Sequence, residues 1–100
     1  MPPSPVLADT QWLQAAVLAS PKVLFQRVGN EAILLDLSSE RYFELNEVGA
    51  AWWLRIAAGE TPSAAYQALL ADYAVAPEVL AADLFILQKE LLAKGLLLAA

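Results

Sequence analysis

The stretch RYFELNEVGAAWWL, residues 41–54, changes from a strand pattern to a helix pattern halfway along, which indicates a domain that contains both. Residues 42–45 have the aromatic and apolar content that is typical of a β-strand. Asn46 is a good helix cap, since its side-chain oxygen can accept from the free N–H groups of a first turn. Glu47 then suits the positive end of the helix dipole. The strand half ends a run of sheet-forming sequence, which makes it a candidate for a sheet edge.

Two strand-like segments precede this stretch. Residues 23–28 (VLFQRV) and 31–37 (EAILLDL) flank the Gly-Asn pair at 29–30, which tolerates the positive φ angles of tight hairpin turns. Residues 38–40 (SSE) supply a second turn, and residues 41–45 (RYFEL) return as the third strand. Three strands in a meander leave the first and the third as edges of the sheet.

Three helices are predicted after the sheet. They cover residues 47–58, 62–73 and 77–94. Gly59 can end the first helix, and Thr61 followed by proline is a typical beginning for the second. The sequence therefore predicts an α+β domain with a three-stranded antiparallel sheet followed by three helices.

Apolar residues at helical spacing predict which sides of the helices face the core. The inner seam of the third helix is predicted at Leu80, Leu84, Leu87 and Leu91. Val79, Asp83 and Ile86 lie on a flank of that seam. In the first helix, Trp52 keeps the phase of its apolar neighbours and is predicted to be core. Trp53 is one step off that phase, so we expect it at a rim or a partner surface.

The N-terminal residues are predicted to be separate from the domain. Residues 1–20 form an N-terminal tail, and residues 21–100 form the domain. The first eight residues, MPPSPVLA, carry three prolines and are typical of an extended tail. Residues 11–20 are expected to form a short helix that ends before Pro21, with Trp12 holding the tail on the core.

The composition excludes several classes of protein. Eleven acidic and six basic residues give a net charge of −5, which argues against binding to nucleic acid or to an anionic membrane surface. The chain has no cysteine and no histidine, so thiolate metal sites and the commonest general base are missing. We therefore expect no enzyme, no metal and no cofactor. No membrane span or basic signal-peptide region is evident, which predicts a cytoplasmic protein.

The chain from about Val23 to Leu97 resembles the PqqD-like leader-binding domains of ribosomally made, post-translationally modified peptides, also called RiPP recognition elements. Three motifs stand in the family's order: ILLDLSSERYFELNEVGAAWW, GETPSAAYQALLADYAVAPEVLAADL and LLAKGLL. The chain is most similar to the free-standing members from lasso-peptide clusters, which work with a separate leader peptidase and a cyclase. It departs from them at Ala76, where a capping Asp is frequent. This costs the third helix a cap worth about 1 kcal/mol.

The resemblance implies a winged-helix-like, non-catalytic protein. The leader segment of a precursor peptide would add as a further strand to the third strand, in the groove beside the third helix, for a separate leader peptidase or other modifying enzyme. Backbone pairing gives affinity in such complexes and side-chain pockets give specificity. The candidate peptide-binding residues are Arg41, Tyr42, Phe43, Glu44, Leu45, Val79, Leu80, Asp83, Leu84 and Leu87. Val79 and Asp83 are expected to touch the peptide, and Leu84 and Leu87 to be mainly core.

Other functions stay open at this point. A PqqD-type chaperone for a radical-enzyme pathway is the nearest alternative. A winged-helix DNA-binding protein is disfavoured by the acidic third helix, where Glu78, Asp83 and Glu90 outnumber Lys89 and Lys94. In a self-association module, the open edge would pair with a second copy to form a homodimer.

The orientation of the third strand also stays open. Tyr42 and Glu44 share one parity, and Phe43 and Leu45 share the other. In an antiparallel edge strand, alternate residues turn their N–H and C=O groups toward the neighbouring strand or away from it. The sequence does not decide which pair faces outward.

Overall fold

The computed structural model describes residues 11–100. The predicted proline-rich tail, residues 1–8, lies outside the described residues. The elements, in chain order, are α1 (Gln11–Gln14), β1 (Val17–Ala19), β2 (Val23–Val28), β3 (Glu31–Asp36), β4 (Arg41–Leu45), α2 (Glu47–Ala57), α3 (Pro62–Asp72), α4 (Pro77–Ala93) and β5 (Leu97–Ala99). The predicted α+β class, with a three-stranded antiparallel sheet followed by three helices, is confirmed.

Strands β2, β3 and β4 form an antiparallel sheet in that order. Gly29 has a φ angle of 62°, as the two-residue turn between β2 and β3 requires. The turn between β3 and β4 is organised by Asp36. Its carboxylate accepts hydrogen bonds from the Ser38 hydroxyl (2.7 Å), the Ser38 N–H (2.9 Å) and the Ser39 hydroxyl (3.0 Å). These hydrogen bonds, the Ser38 hydroxyl first, hold the pKa of Asp36 below its ordinary value.

The helices begin where the sequence indicates. The Asn46 side chain accepts a hydrogen bond from the Gly49 N–H at 2.8 Å, which caps α2. The Thr61 hydroxyl accepts from the Ala64 N–H at 3.1 Å and caps α3. Helix α4 begins after Ala76, which supplies no side-chain cap. Local capping chemistry therefore sets two of the three helix starts.

The short helix predicted to run to Ser20 is wrong beyond Gln14. Residues 17–19 instead form β1, which pairs with β5 in a separate two-stranded antiparallel sheet. The β-branched Val17 is buried in this arrangement. Tertiary pairing with the far end of the chain thus overrides the weak local helical signal.

Trp12 anchors the first described residues to the core, as predicted. Its ring lies 6.3 Å from the Tyr66 ring and 6.1 Å from the Phe85 ring, measured between centroids. Its backbone carbonyl accepts a hydrogen bond from the buried Gln88 side chain at 3.0 Å. Trp12 and Val17 both belong to the main core cluster. The division of the chain between residues 20 and 21 stays a prediction.

Helix α2 lies at the centre of the molecule, packed against α3, β1, β3 and β4. Trp52 and Ile56 are buried there, as is Leu34 from the sheet. The prediction that Trp53 lies at a rim is wrong, because its side chain is only 3% exposed. A helix with neighbours on several sides buries more than one stripe, so the phase of a single stripe underestimates its core.

Candidate peptide-binding groove

Strand β4 has one hydrogen-bonded neighbour. It pairs with β3, and within residues 11–100 nothing pairs with its other side. Strand β2 forms the opposite edge of the same sheet. An unpaired edge presents a row of free N–H and C=O groups, which is a template for another strand.

The register of the sheet determines which backbone groups of β4 are free. Val28 and Glu31 flank the two-residue turn, so they form a hydrogen-bonded pair. Because the pattern alternates, the odd-numbered residues of β3 point their backbone N–H and C=O groups toward β2, and the even-numbered residues point theirs toward β4. The Leu37 N–H donates to the Lys22 carbonyl at 2.9 Å, on the β2 side, as this alternation requires.

The outward residues of β4 follow from the same count. The even-numbered β3 residues pair with Arg41, Phe43 and Leu45, whose backbone groups therefore turn inward. Tyr42 and Glu44 consequently turn their N–H and C=O groups away from the sheet. The edge offers these four backbone groups to an added strand.

A groove of about 390 Å³ lies between β4 and α4. Its floor includes Gly49 of α2, where a Cβ atom would lie 3.1 Å from the Asn46 side-chain oxygen and 3.4 Å from a Leu87 methyl group. A larger residue at position 49 would crowd the Asn46 side chain that caps α2 and the Leu87 side chain on α4, so this part of the groove favours glycine. The lining residues are Phe43, Glu44, Leu45, Asn46, Val48, Gly49, Val75, Leu80, Asp83, Leu84, Ile86, Leu87 and Glu90.

Most of the predicted site residues lie together in this groove. Those that line it are Phe43, Glu44, Leu45, Leu80, Asp83, Leu84 and Leu87. Arg41 and Tyr42 line an adjoining cavity, which shares Phe43 with the groove. Ala93 and Lys94, at the end of α4, also line this cavity. Val79 does not line the groove and is 50% exposed on α4. The part of each residue in binding stays a prediction.

The groove residues differ in how much they can offer a ligand. Leu80 and Leu84 are 1% exposed and serve mainly the core. Phe43 and Leu87 are half-buried, and Ile86 is 54% exposed. These three apolar side chains border the open strand edge, so an extended peptide there could bury side chains against them while its backbone pairs with β4.

Several groove residues were not predicted. Ile86 was predicted on the same flank as Asp83 but was not chosen as a contact residue. Glu90 follows Asp83 by seven positions on that helix face, so the spacing could have found it as well. Gly49 lies one helical turn from the Asn46 cap and has no ligand signature of its own. Val75 lies in the loop before α4, where no periodicity marks it.

The chemistry of the described residues is that of a binding surface. Residues 11–100 contain no group of acidic residues arranged to hold a metal ion. No helix in the described range is both long and apolar enough to cross a membrane. The groove offers backbone hydrogen bonds, apolar surface and carboxylates, which suit recognition of an extended peptide.

The comparisons agree with this geometry. The family described as coenzyme PQQ synthesis protein D (PqqD) matches residues 31–97. A solved structure of TbiB1 in complex with the TbiA(beta) leader peptide matches with a TM-score of 0.72 and 30% identity, over 79% of this chain and 92% of that one. Lasso peptide synthetase B1 complexed with the leader peptide matches with a TM-score of 0.72 and 26% identity, over 84% and 99%. Among curated protein sequences, none matches this chain significantly. Since the family match spans more than half of its length, the chain belongs to the PqqD family.

Proposed function

We propose that this protein captures the leader segment of a ribosomally made precursor peptide and presents it to a separate processing enzyme. It does so as a non-catalytic recognition module in the cytoplasm. The observation that carries the proposal is the unpaired edge of β4 beside the groove. The processing enzyme is a leader peptidase of lasso-peptide biosynthesis.

In this mechanism the leader becomes a fourth strand of the sheet. Its backbone pairs with the outward N–H and C=O groups of Tyr42 and Glu44. Alternate side chains of an extended strand point to one face, so every second leader residue can bury its side chain against Phe43, Ile86 or Leu87. Leader backbone pairing supplies affinity that does not depend on sequence. Selectivity comes from groove-lining side chains of α4, Asp83, Ile86, Leu87 and Glu90, which form the α4 wall.

The similar solved structures support the lasso-peptide assignment over the alternative. Both are described as complexes with a leader peptide, and the one that is 26% identical to this chain is described as lasso peptide synthetase B1. The family description, by contrast, names coenzyme PQQ synthesis. A chaperone for a radical-enzyme pathway is therefore the second candidate. A peptidase and cyclase encoded beside the gene would favour the first candidate.

The proposal is tested with the precursor encoded near this gene, divided into a leader peptide and a core peptide. Calorimetric titration is expected to give nanomolar to micromolar binding of the leader and no measurable binding of the core peptide. Equal affinity for the two halves would contradict the proposal. The purified protein alone should leave the mass of the precursor unchanged, and cleavage would overturn the non-catalytic assignment.

Two control measurements separate the rival functions. Salt-dependent binding to random duplex DNA would indicate a winged-helix DNA-binding protein. A mass that rises with protein concentration in the absence of peptide would indicate that β4 pairs with a second copy. We expect neither result.

A further inference from the structure

The α4 wall of the groove has a definite pattern of charge. Asp83 and Glu90 are seven positions apart, which places them on one side of the helix and about 10 Å apart along its axis. Ile86 and Leu87 lie between them. All four residues line the groove. The wall therefore presents an apolar surface between two exposed carboxylates.

These carboxylates have no cationic partner within the described chain. Among residues 11–100, the ion pairs within 4 Å both belong to Arg55, which joins Glu60 and Asp72 elsewhere on the surface. No Lys or Arg lines the groove. Arg41 and Lys94 line the adjoining cavity instead, and Lys94, four positions after Glu90, forms no ion pair with it.

A strand that fills the groove changes the environment of the carboxylates. It excludes water, and charges interact more strongly where water is excluded. A carboxylate covered by an apolar side chain loses hydration without gaining a partner, which is costly. A Lys or Arg side chain avoids that cost, because its aliphatic stem can lie along Ile86 while its cation pairs with Asp83 or Glu90.

We infer that the bound leader carries a basic side chain at this wall, a Lys or Arg that pairs with Asp83 or Glu90, beside an apolar side chain seated on Ile86 and Leu87. This inference rests on the proposed leader capture and adds its chemical selectivity. The precursor is therefore selected for the position of one positive charge as well as for its extended, apolar character.

A random dodecapeptide display library, selected on the purified wild-type protein, tests the inference and requires no precursor sequence. Enriched peptides should carry Lys or Arg next to an apolar residue more often than the unselected library does. An enriched peptide should bind about tenfold more weakly to Asp83→Asn or Glu90→Gln, as expected for the loss of a charge-assisted hydrogen bond. Glu78→Gln, which removes one charge from the same helix outside the groove, is the matched control and should bind normally.

The outcomes distinguish leader capture from charge selectivity. If no peptide is enriched, or if enriched peptides bind Glu44→Pro as tightly as wild type while circular dichroism shows a folded protein, capture at the β4 edge fails. If enriched peptides lose binding to Glu44→Pro but show no excess of Lys or Arg, only the charge selectivity fails. Charge selectivity alone also fails if Asp83→Asn and Glu90→Gln both bind the enriched peptides as tightly as Glu78→Gln does.

Discussion

Proline substitutions at two adjacent positions of β4 should have opposite consequences. Glu44→Pro removes an N–H that points away from the sheet, so the β3–β4 hydrogen bonds remain. Phe43→Pro removes an N–H that faces the carbonyl of Leu34, the fully buried β3 residue that pairs with Phe43. Proline fixes φ near −65° and favours an extended preceding residue, which an edge strand can accommodate at position 44.

The magnitudes follow from the groups left without partners. In Phe43→Pro a buried carbonyl loses its donor, which costs about 1–3 kcal/mol before any loss from the half-buried phenyl ring. That is a large share of the roughly 5–15 kcal/mol that stabilises a typical domain. In Glu44→Pro the same loss falls on the carbonyl of the bound leader. The leader should then bind about 5- to 150-fold more weakly, while the fold is kept.

The assay combines thermal melting, followed by circular dichroism, with fluorescence anisotropy of a labelled leader peptide. Phe43→Ala and Glu44→Ala are the matched controls, since they remove the same side chains and retain the N–H groups. Glu44→Ala should bind leader nearly as wild type does. Leader pairing with the outward N–H of Glu44 is contradicted if Glu44→Pro binds like Glu44→Ala. The outward parity is contradicted if Glu44→Pro unfolds while Phe43→Pro melts like Phe43→Ala.

Three further predictions concern stability. Leu91→Ala, at a fully buried position of α4, should cost about 2–5 kcal/mol in denaturant unfolding; an unchanged midpoint would place Leu91 outside the core. Ala76→Asp should supply the missing α4 cap and add about 1 kcal/mol, seen as a melting point higher by several degrees, whereas the loop control Ala74→Asp should not. Because the pKa of Asp36 is lowered, its hydrogen bonds stabilise the fold at pH values above the ordinary pKa of 3.8. This contribution is lost as the pH falls through the lower pKa of the folded state. Asp36→Asn should therefore melt below wild type at pH 7, with a smaller difference at pH 2–3; an equal difference at both would contradict the role of the ionised carboxylate.

Elements marked by local chemistry were predictable from the sequence. Strands 23–28 and 41–45 have the predicted bounds, and α3 and α4 begin at the predicted prolines. The outward parity of β4 was only half within reach. The two-residue turn at 29–30 determines which β3 residues face β4, but the β3–β4 register, which the structure supplies, is needed to reach Tyr42 and Glu44.

Features that depend on distant contacts could not be predicted in the same way. The β1–β5 sheet joins residues 17–19 to residues 97–99, and neither short segment has a pattern that names its partner. The burial of Trp53 depends on how many neighbours surround α2. The groove itself depends on the separation of β4 from α4. Among the groove residues outside the predicted set, Ile86 and Glu90 carried a usable signal, which is their spacing from Asp83, and Ile86 had already been predicted on the same flank.

The outward parity of β4 has a consequence for how such a protein and its precursors can diverge. In the proposed leader pairing, Tyr42 and Glu44 contribute through backbone atoms, so their side chains can drift during evolution as long as neither becomes proline. The inferred contribution of the α4 wall is made by side chains, so a change at Asp83 or Glu90 would call for a compensating change in the leader. Paired substitutions between a precursor and its recognition protein should accordingly collect on α4, while the strand partner keeps its register with few constraints on its sequence.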